Sequence, residues 1–318
     1  MSASGGGKAI IAAFLANMGI ALAKFIAWFF SGSASMLAEA IHSVADSGNQ
    51  LLLLLGGRKA KKSADREHPF GYGRERYVYA FVVSIILFSV GGLFSIYEGI
   101  DKLTHPHELE NFWIPLTVLA VAIVLESFSL RTAVRESNLV RAKGQSWVSF
   151  VRHSKAPELP VVLLEDIAAL IGLVFALFGV GLTAITGNSL FDAIGTLMIG
   201  TLLIVVAITL GIETKSLLVG EGANEGELGR IEKAILAGRE AERIIHMKTL
   251  YLGPDELLVA AKIGFHGDLR LQEVATAVNV IERRVRAAVP AARVIYLEPD
   301  LRRPAASAGS GAGAARGG

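Results

Sequence analysis

Residues 35–57 read SMLAEAIHSVADSGNQLLLLLGG, and this stretch decides how the chain is interpreted. Its length and apolar content predict a helix across the membrane, yet its middle contains Glu39, His42 and Asp46. Ionisable groups at bilayer depth are costly and usually mark an ion or proton pathway. His42 and Asp46 are four residues apart, so a helix places both side chains on one face, one turn apart. This spacing suits two corners of a metal site, provided that another helix supplies the other ligands. The alternative is a buried His–Asp hydrogen bond that only joins two helices.

The composition also indicates a membrane protein. Of the 318 residues, 52% are hydrophobic and 19% are charged, which is less charge than a soluble protein of this length carries. The apolar residues are clustered in six runs, each long enough to cross about 30 Å of hydrocarbon as a helix. These runs are residues 9–30, 34–57, 77–103, 112–133, 161–184 and 189–212. The first run lacks the cleavage site and short core of a signal peptide, so we expect it to be retained.

The basic residues are distributed unevenly between these runs. They concentrate in the connections after the second and fourth runs, whereas the connection after the third run contains Asp101, Glu108 and Glu110 against Lys102. The positive-inside rule therefore predicts that both termini are cytoplasmic. The basic residues flank spans and lack interleaved aromatics, which argues against nucleic-acid binding. Because the chain has no cysteine, any metal must be bound by His, Asp, Glu, Asn or backbone oxygen.

Single polar residues in the other runs each have two interpretations. Lys24 could pair with an acidic neighbour, but we favour snorkelling of its ammonium to the interface. Glu126 could form a helix-end ion pair with the arginines that follow it, or it could serve transport. Asp192 could belong to a helix cap or be a ligand. Glu165 and Asp166 point about 100° apart on a helix, so one of them can face the centre of the bundle.

The connection after the second run contains Asp65, Glu67 and His68, which could bind a metal at the membrane surface. A solvated, charged loop is the simpler interpretation, and it is favoured for this cluster taken alone. Past residue 212 the sequence becomes charged, and its patterns predict the order αββαβ in one small α+β layer. We therefore expect a membrane domain over residues 1–215, a cytoplasmic α+β domain over 216–300 and a disordered tail over 301–318.

Four features together resemble one family, the cation diffusion facilitators. They are the six spans with an αββαβ tail, AEAIHSVADSGNQ in the second span, HPFGYGRERY directly after it, and the acidic fifth span. The resemblance covers residues from about 9 to 299. It implies an all-α membrane domain of six helices with a cytoplasmic metallochaperone-like α+β domain.

The resemblance also implies a function. Members of this family are homodimeric exporters in the lipid bilayer, not enzymes, and they have no organic cofactor and no nucleic-acid partner. A divalent metal, most commonly Zn²⁺, binds as the substrate between the second and fifth helices and leaves the cytoplasm in exchange for protons. The implied location is a multi-pass position in the cell (inner) membrane.

The family's metal ligands correspond to His42 and Asp46 in the second span and to Asp166 in the fifth. The position four residues before Asp166 is Val162, which cannot bind a metal, so this chain departs from the family pattern there. The candidates for a fourth ligand are Asn49, Glu165, Gln50 and water. A site with one nitrogen and several oxygens would accept manganese, iron or cobalt as well as zinc.

The family's other metal sites are incomplete here. In the loop site Asp65 and His68 match, but Tyr72 replaces the usual second histidine. In the tail His246 lies near one ligand position. Lys262 and Tyr296 lie where the family often has histidine, and His266 is expected to be a surface residue at a strand end. We therefore expect the tail not to bind metal as it does in zinc-sensing members.

Two other functions remain as alternatives. A metal sensor, in which the helix bundle only scaffolds the tail, is disfavoured by the weak ligand set of the tail. An intramembrane metal-dependent hydrolase would need a His-Glu-x-x-His pair or similar and a carboxylate base, and no such string occurs. In the favoured mechanism metal and protons compete for the same groups, which suits His42 because the unperturbed pKa of histidine is about 6.5.

Overall fold

The computed structural model describes residues 4–106 and 111–301, and the side chains from residue 17 onward within those ranges. Glu108 and Glu110, the acidic residues of the connection after the third run, lie outside the described residues, as does the predicted disordered tail from residue 302 onward.

Within the described residues, each of the six predicted apolar runs lies in a helix. An additional short helix, α5, lies in the connection after the fourth run. The helices are α1 (Ser4–Ser31), α2 (Ala34–Lys59), α3 (Glu75–Thr104), α4 (Trp113–Val140), α5 (Trp147–His153), α6 (Glu158–Thr186) and α7 (Leu190–Val219).

Four of the described helices, α3, α4, α6 and α7, have the length and hydropathy of membrane spans. The described apolar part of α1, Asn17–Ser31, is shorter. Helix α2 is long enough but contains the charged residues noted above and ends with Arg58 and Lys59, which lowers its mean hydropathy. The six-span arrangement therefore stays a prediction.

Glycines allow the apolar helices to approach closely. A Cβ atom at Gly179 of α6 would lie 2.9 Å from the carbonyl oxygen of Phe191 of α7. A Cβ atom at Gly200 of α7 would lie 2.8 Å from the backbone nitrogen of Ile96 of α3. Such small residues let helix backbones pack tightly in a membrane, where the hydrophobic effect does not drive helices together.

Asp192 fixes the beginning of α2, although it lies in the first turn of α7. Its carboxylate accepts hydrogen bonds from the backbone N–H of Ala34 (2.9 Å), the Ser33 hydroxyl (2.9 Å) and the Ser35 hydroxyl. Asp192 is therefore a cap residue, as one interpretation predicted, but it caps the neighbouring helix. An acidic group at this position also interacts favourably with the positive end of the α2 dipole.

The chain divides into two compact units between Val219 and Gly220. The C-terminal unit has the predicted order αββαβ. Its elements are α8 (Glu225–Leu236), β1 (Ala241–Gly253), β2 (Glu256–Phe265), α9 (Leu271–Ala288) and β3 (Ala292–Leu301). Strand β2 is central, antiparallel to β1 and parallel to β3, and the crossover from β2 to β3 runs through α9. Ile231 of α8, Val259 of β2 and Ile281 of α9 meet in the buried core of this unit.

Candidate metal site in the membrane unit

A group of buried polar side chains lies among α1, α2, α4 and α6, and we call it the polar cluster. Each member has at most 9% of its surface exposed. Burying this many ionisable groups is unfavourable without compensation, so the arrangement of their charges and hydrogen bonds is informative. The members are Lys24, Glu39, His42, Ser43, Asp46, Asn49, Glu126, Glu165 and Asp166.

His42 and Asp46 lie side by side on α2, as their spacing predicts. His42 Nε2 lies 3.3 Å from Asp46 Oδ2, but this contact is not aligned as a hydrogen bond. Both ring nitrogens of His42 and Oδ1 of Asp46 are buried without a hydrogen-bond partner among the described residues. Buried polar atoms are nearly always paired, so these atoms call for a partner that the described residues do not supply.

Asn49 joins α2 to α6. Its Nδ2 donates a hydrogen bond of 2.7 Å to Glu165 Oε1, while its own Oδ1 has no partner among the described residues. The next carboxyl, Asp166, accepts a hydrogen bond of 3.0 Å from the Ser129 hydroxyl of α4. The two adjacent carboxyls therefore face different helices, as their angular separation predicts. The sequence interpretation assigned Asp166 to the site, whereas in the structure Glu165 makes the direct hydrogen bond to α2.

The carboxyl groups of the polar cluster lie close enough to interact. The charge of Asp46 interacts with those of Glu165, Glu126 and Asp166, which brings carboxyls from α2, α4 and α6 into one electrostatic group. Repulsion within such a group favours binding of a cation or of protons. Among the described residues, however, no three His, Asp or Glu side chains are arranged to hold a metal ion together. The groups are near one another without forming a closed cage.

Glu126 belongs to this group and not to a helix-end ion pair. Its side chain is 7% exposed, and it forms no ion pair with a described residue. The arginines that were considered as partners, Arg131 and Arg135, are exposed. Of the remaining candidates, Gln50 has a buried Oε1 without a described partner, and Val162 packs against the apolar core.

Lys24 does not snorkel, so that prediction was wrong. The residue is 1% exposed, and its Nζ donates hydrogen bonds to Glu39 Oε2 (2.9 Å) and to the Ser43 hydroxyl (2.7 Å). The reason is that α2 supplies a buried counter-charge within reach, which compensates the ammonium without access to water. Glu39 and Ser43 are four residues apart and share one face of α2, so both can contact the ammonium.

The carboxylate of Asp65 is used within its own loop. It accepts hydrogen bonds from the Tyr72 hydroxyl (2.6 Å), Lys62 Nζ (3.0 Å) and the backbone N–H groups of Glu67 and His68. The Tyr72 hydroxyl, followed by the His68 N–H and Lys62, holds the pKa of Asp65 well below its usual range. His68 Nδ1 lies 3.6 Å from Asp65 Oδ1. This is the geometry expected for the solvated-loop interpretation.

The C-terminal unit has an ion pair where the family often has histidine. Lys262 Nζ lies 2.8 Å from Glu298 and 3.4 Å from Asp300, and the hydrogen bond to Glu298 raises the pKa of Lys262. His246 lies opposite Lys262 in the pairing of β1 with β2. His266 directly follows β2, is half exposed and lies 2.7 Å from Glu242. The Lys262 ammonium, paired with Glu298 and Asp300, therefore lies across the β1–β2 pairing from His246, and the expectation that this unit does not bind metal as zinc-sensing members do stays a prediction.

Comparison with known proteins shows the family of this chain. A family model described as the cation efflux transmembrane domain matches residues 10–219. The chain is 37% identical over 265 residues to the proton-coupled zinc antiporter SLC30A9, mitochondrial, of Homo sapiens, which covers 83% of this chain and 46% of that protein. It is 28% identical over 266 residues to metal tolerance protein C4 of Arabidopsis thaliana, covering 83% of this chain and 58% of that protein.

A bacterial relative matches over almost its full length. The cation-efflux pump FieF of Klebsiella pneumoniae is 25% identical over 303 residues, which are 95% of each chain. The chain spans about half the length of the first two relatives, by contrast. The family model covers residues 10–219 of the unit Met1–Val219, which includes every residue of the polar cluster. The chain therefore belongs to the cation efflux family of membrane metal transporters, the cation diffusion facilitators.

Proposed function

We propose that this protein is a proton-coupled antiporter that exports a divalent metal, zinc in the first place, from the cytoplasm. Metal efflux follows from the family, while zinc and proton coupling go further and are the proposal. One observation carries it: His42 and Asp46 are buried on one face of α2, with unpaired ligand atoms beside the carboxyls of α6.

The site would combine ligands from two helices. His42 and Asp46 supply one nitrogen and one carboxylate from α2, and Asp166 and Glu165 supply carboxylates from α6. Asn49 holds Glu165 against α2, and its own Oδ1 has no hydrogen-bond partner in the part of the chain that the structure describes. A shift of α6 relative to α2 would bring these groups around an ion, in the way that transporters rock their helices about a site near the middle of the membrane.

Proton coupling follows from the chemistry of these ligands. Metal binds deprotonated carboxylates and neutral imidazole, so protons and metal compete for the same atoms. When the site opens to the opposite side, protonation of His42 and the carboxylates releases the ion. The same groups then carry protons back, which makes the exchange an antiport.

The human relative is named a zinc antiporter, and the proposed site has one imidazole ligand, His42, so zinc is the favoured metal. The remaining donors are oxygens, so manganese, iron and cobalt are expected to compete. In the loop, Asp65 and His68 are proposed only as a transient site of ion entry, because the Asp65 oxygens already accept hydrogen bonds.

The rest of the proposal concerns the assembly. We infer six spans, with α1 and α2 crossing the membrane together with the four apolar helices, and both termini in the cytoplasm by the distribution of basic residues. The proposed assembly is a homodimer in the cell (inner) membrane, with the C-terminal unit in the cytoplasm. No observation favours the sensor, and a transporter family gives no support to the hydrolase.

The test is zinc uptake into proteoliposomes, with and without an imposed pH gradient. Zinc flux should depend on the gradient, and His42→Ala, Asp46→Ala and Asp166→Ala should each abolish it. His105→Ala, which removes an exposed histidine at the end of α3, is the matched control and should transport normally. Normal flux in Asp46→Ala would show that the site is assigned wrongly, and flux that ignores the gradient would exclude proton coupling.

A further inference from the structure

The pair of Lys24 and Glu39 is not explained by the transport site described above. Both side chains are buried, with 1% and 0% of their surface exposed. Their contact joins α1 to α2, and Glu39 lies three residues before His42, on the adjoining turn of the same helix. A buried ion pair of this kind gives little net stability over an apolar pair, so stability alone is a weak reason for it.

The surroundings of the Lys24 ammonium resemble those of a bound cation. It is held by a carboxylate oxygen of Glu39 at 2.9 Å and by the hydroxyl of Ser43 at 2.7 Å. The second carboxylate oxygen, Glu39 Oε1, is buried and has no hydrogen-bond partner among the described residues. Here the Lys24 ammonium contacts only one of the two oxygens, whereas a metal ion could bind both.

Helix α6 leaves room for this carboxylate. Glu39 Oε1 lies over Gly172, where a Cβ atom would come within 2.7 Å of it. Gly172 therefore keeps the space beside the unpaired oxygen free of side chain. Gly172 and Asp166 both belong to α6, whereas Glu39 belongs to α2. The carboxylate of Glu39 therefore lies between the same two helices as the proposed transport site.

We propose that Glu39 and Ser43 form a second cation-binding position next to His42, which the ammonium of Lys24 occupies as a tethered cation. Its donors are oxygen atoms only, so it suits a hard divalent cation such as Mn²⁺ when the ammonium is removed. In the intact protein the tethered charge prevents a transported ion from settling at Glu39. This inference concerns binding at equilibrium, so it does not depend on proton-coupled transport.

The experiment counts bound Mn²⁺ in purified full-length protein by equilibrium dialysis and electron paramagnetic resonance. Lys24→Met should bind one more Mn²⁺ per chain than the wild type, whatever number the wild type binds. Lys24→Met/Glu39→Gln should return to the wild-type number, because it lacks the carboxylate.

Lys102→Met is the matched control, because Lys102 is another buried lysine, 5% exposed, near a buried carboxylate. It should bind no additional ion, since the oxygens of the nearby Asp192 already accept hydrogen bonds. Should Lys24→Met fail to fold, Lys24→Gln removes the same charge, keeps a hydrogen-bond donor and carries the same expectation. An unchanged Mn²⁺ count in the folded Lys24 variant, or an additional ion that persists without Glu39, would overturn the proposal. Loss of zinc flux in His42→Ala with the additional Mn²⁺ still present in Lys24→Met would separate the two proposals.

Discussion

Removal of the Asp192 carboxylate should destabilise the membrane unit by releasing the beginning of α2. Asp192→Ala takes away the acceptor for the Ala34 N–H and for the hydroxyls of Ser33 and Ser35. Residues His42 and Asp46 follow on the same helix, so the anchored end also determines where the proposed ligands lie.

The magnitude follows from what each donor can do in the variant. The two hydroxyl oxygens are 3.1 Å apart, so Ser33 and Ser35 can hydrogen bond to each other. The buried N–H of Ala34 has no such substitute, and an unsatisfied buried donor costs about 1–3 kcal/mol. Loss of an acidic group at a helix N-terminus adds about 0.3–1 kcal/mol. Asp192→Ala should therefore lower the free energy of unfolding by about 1–4 kcal/mol.

The assay is equilibrium unfolding in mixed micelles, followed by circular dichroism as SDS replaces the mild detergent. Asp192→Asn keeps one acceptor oxygen but no charge, so it should lose only about 1–2 kcal/mol. Glu136→Ala, at an exposed carboxylate of α4, is the control and should change stability by less than about 0.5 kcal/mol. A loss below about 1 kcal/mol in Asp192→Ala would refute the reasoning, because the three hydrogen bonds would then not anchor α2.

Three further predictions concern packing, the loop and the site. Gly200→Ala should lower the free energy of unfolding by about 1–3 kcal/mol, because its Cβ would meet a backbone nitrogen of α3. Gly181→Ala is the control, because a Cβ atom there has open space and should leave the free energy of unfolding unchanged. Equal effects of the two substitutions in the same SDS assay would contradict this prediction. Tyr72→Phe should raise the pKa of Asp65 toward its ordinary value, measured by NMR titration of labelled aspartate. Since the pKa of Asp65 is depressed in the folded state, its carboxylate stabilises the loop above pH about 4, and this effect is lost as pH falls. An unchanged Asp65 titration in Tyr72→Phe would exclude a role of the Tyr72 hydroxyl. Asn49→Ala should raise the KM for zinc about tenfold in proteoliposomes, which is equivalent to about 1.4 kcal/mol for the lost hydrogen bond to Glu165 of α6. An unchanged KM would show that Asn49 does not belong to the site.

The sequence was sufficient for the positions of the six long helices, because long apolar runs have few alternatives to a helix in a membrane, but it did not predict the short α5. It was also sufficient for the αββαβ order of the C-terminal unit, where strand alternation and the amphipathic α9 are clear. The spacing of His42 and Asp46 correctly predicted that they share a face, since the helical period alone determines this.

The errors arose where a residue's partner lies on another helix. Lys24 was expected to snorkel because periodicity within α1 gives no information about Glu39 on α2. Asp192 was recognised as a cap residue, but the helix that it caps could not be identified without knowing how α7 packs. The directions of Glu165 and Asp166 likewise depend on the rotation of α6 against α2 and α4, which adjacent residues in a sequence do not specify.

The central claim, that a divalent ion is bound between α2 and α6 by one nitrogen and several oxygens, is tested most directly by X-ray absorption at the zinc edge. Purified protein with one equivalent of Zn²⁺ should show one imidazole nitrogen at about 2.0–2.1 Å with oxygen as the other ligand atoms. The imidazole contribution should disappear in His42→Ala and persist in His105→Ala. An imidazole signal that survives in His42→Ala would place the ion elsewhere and contradict the account.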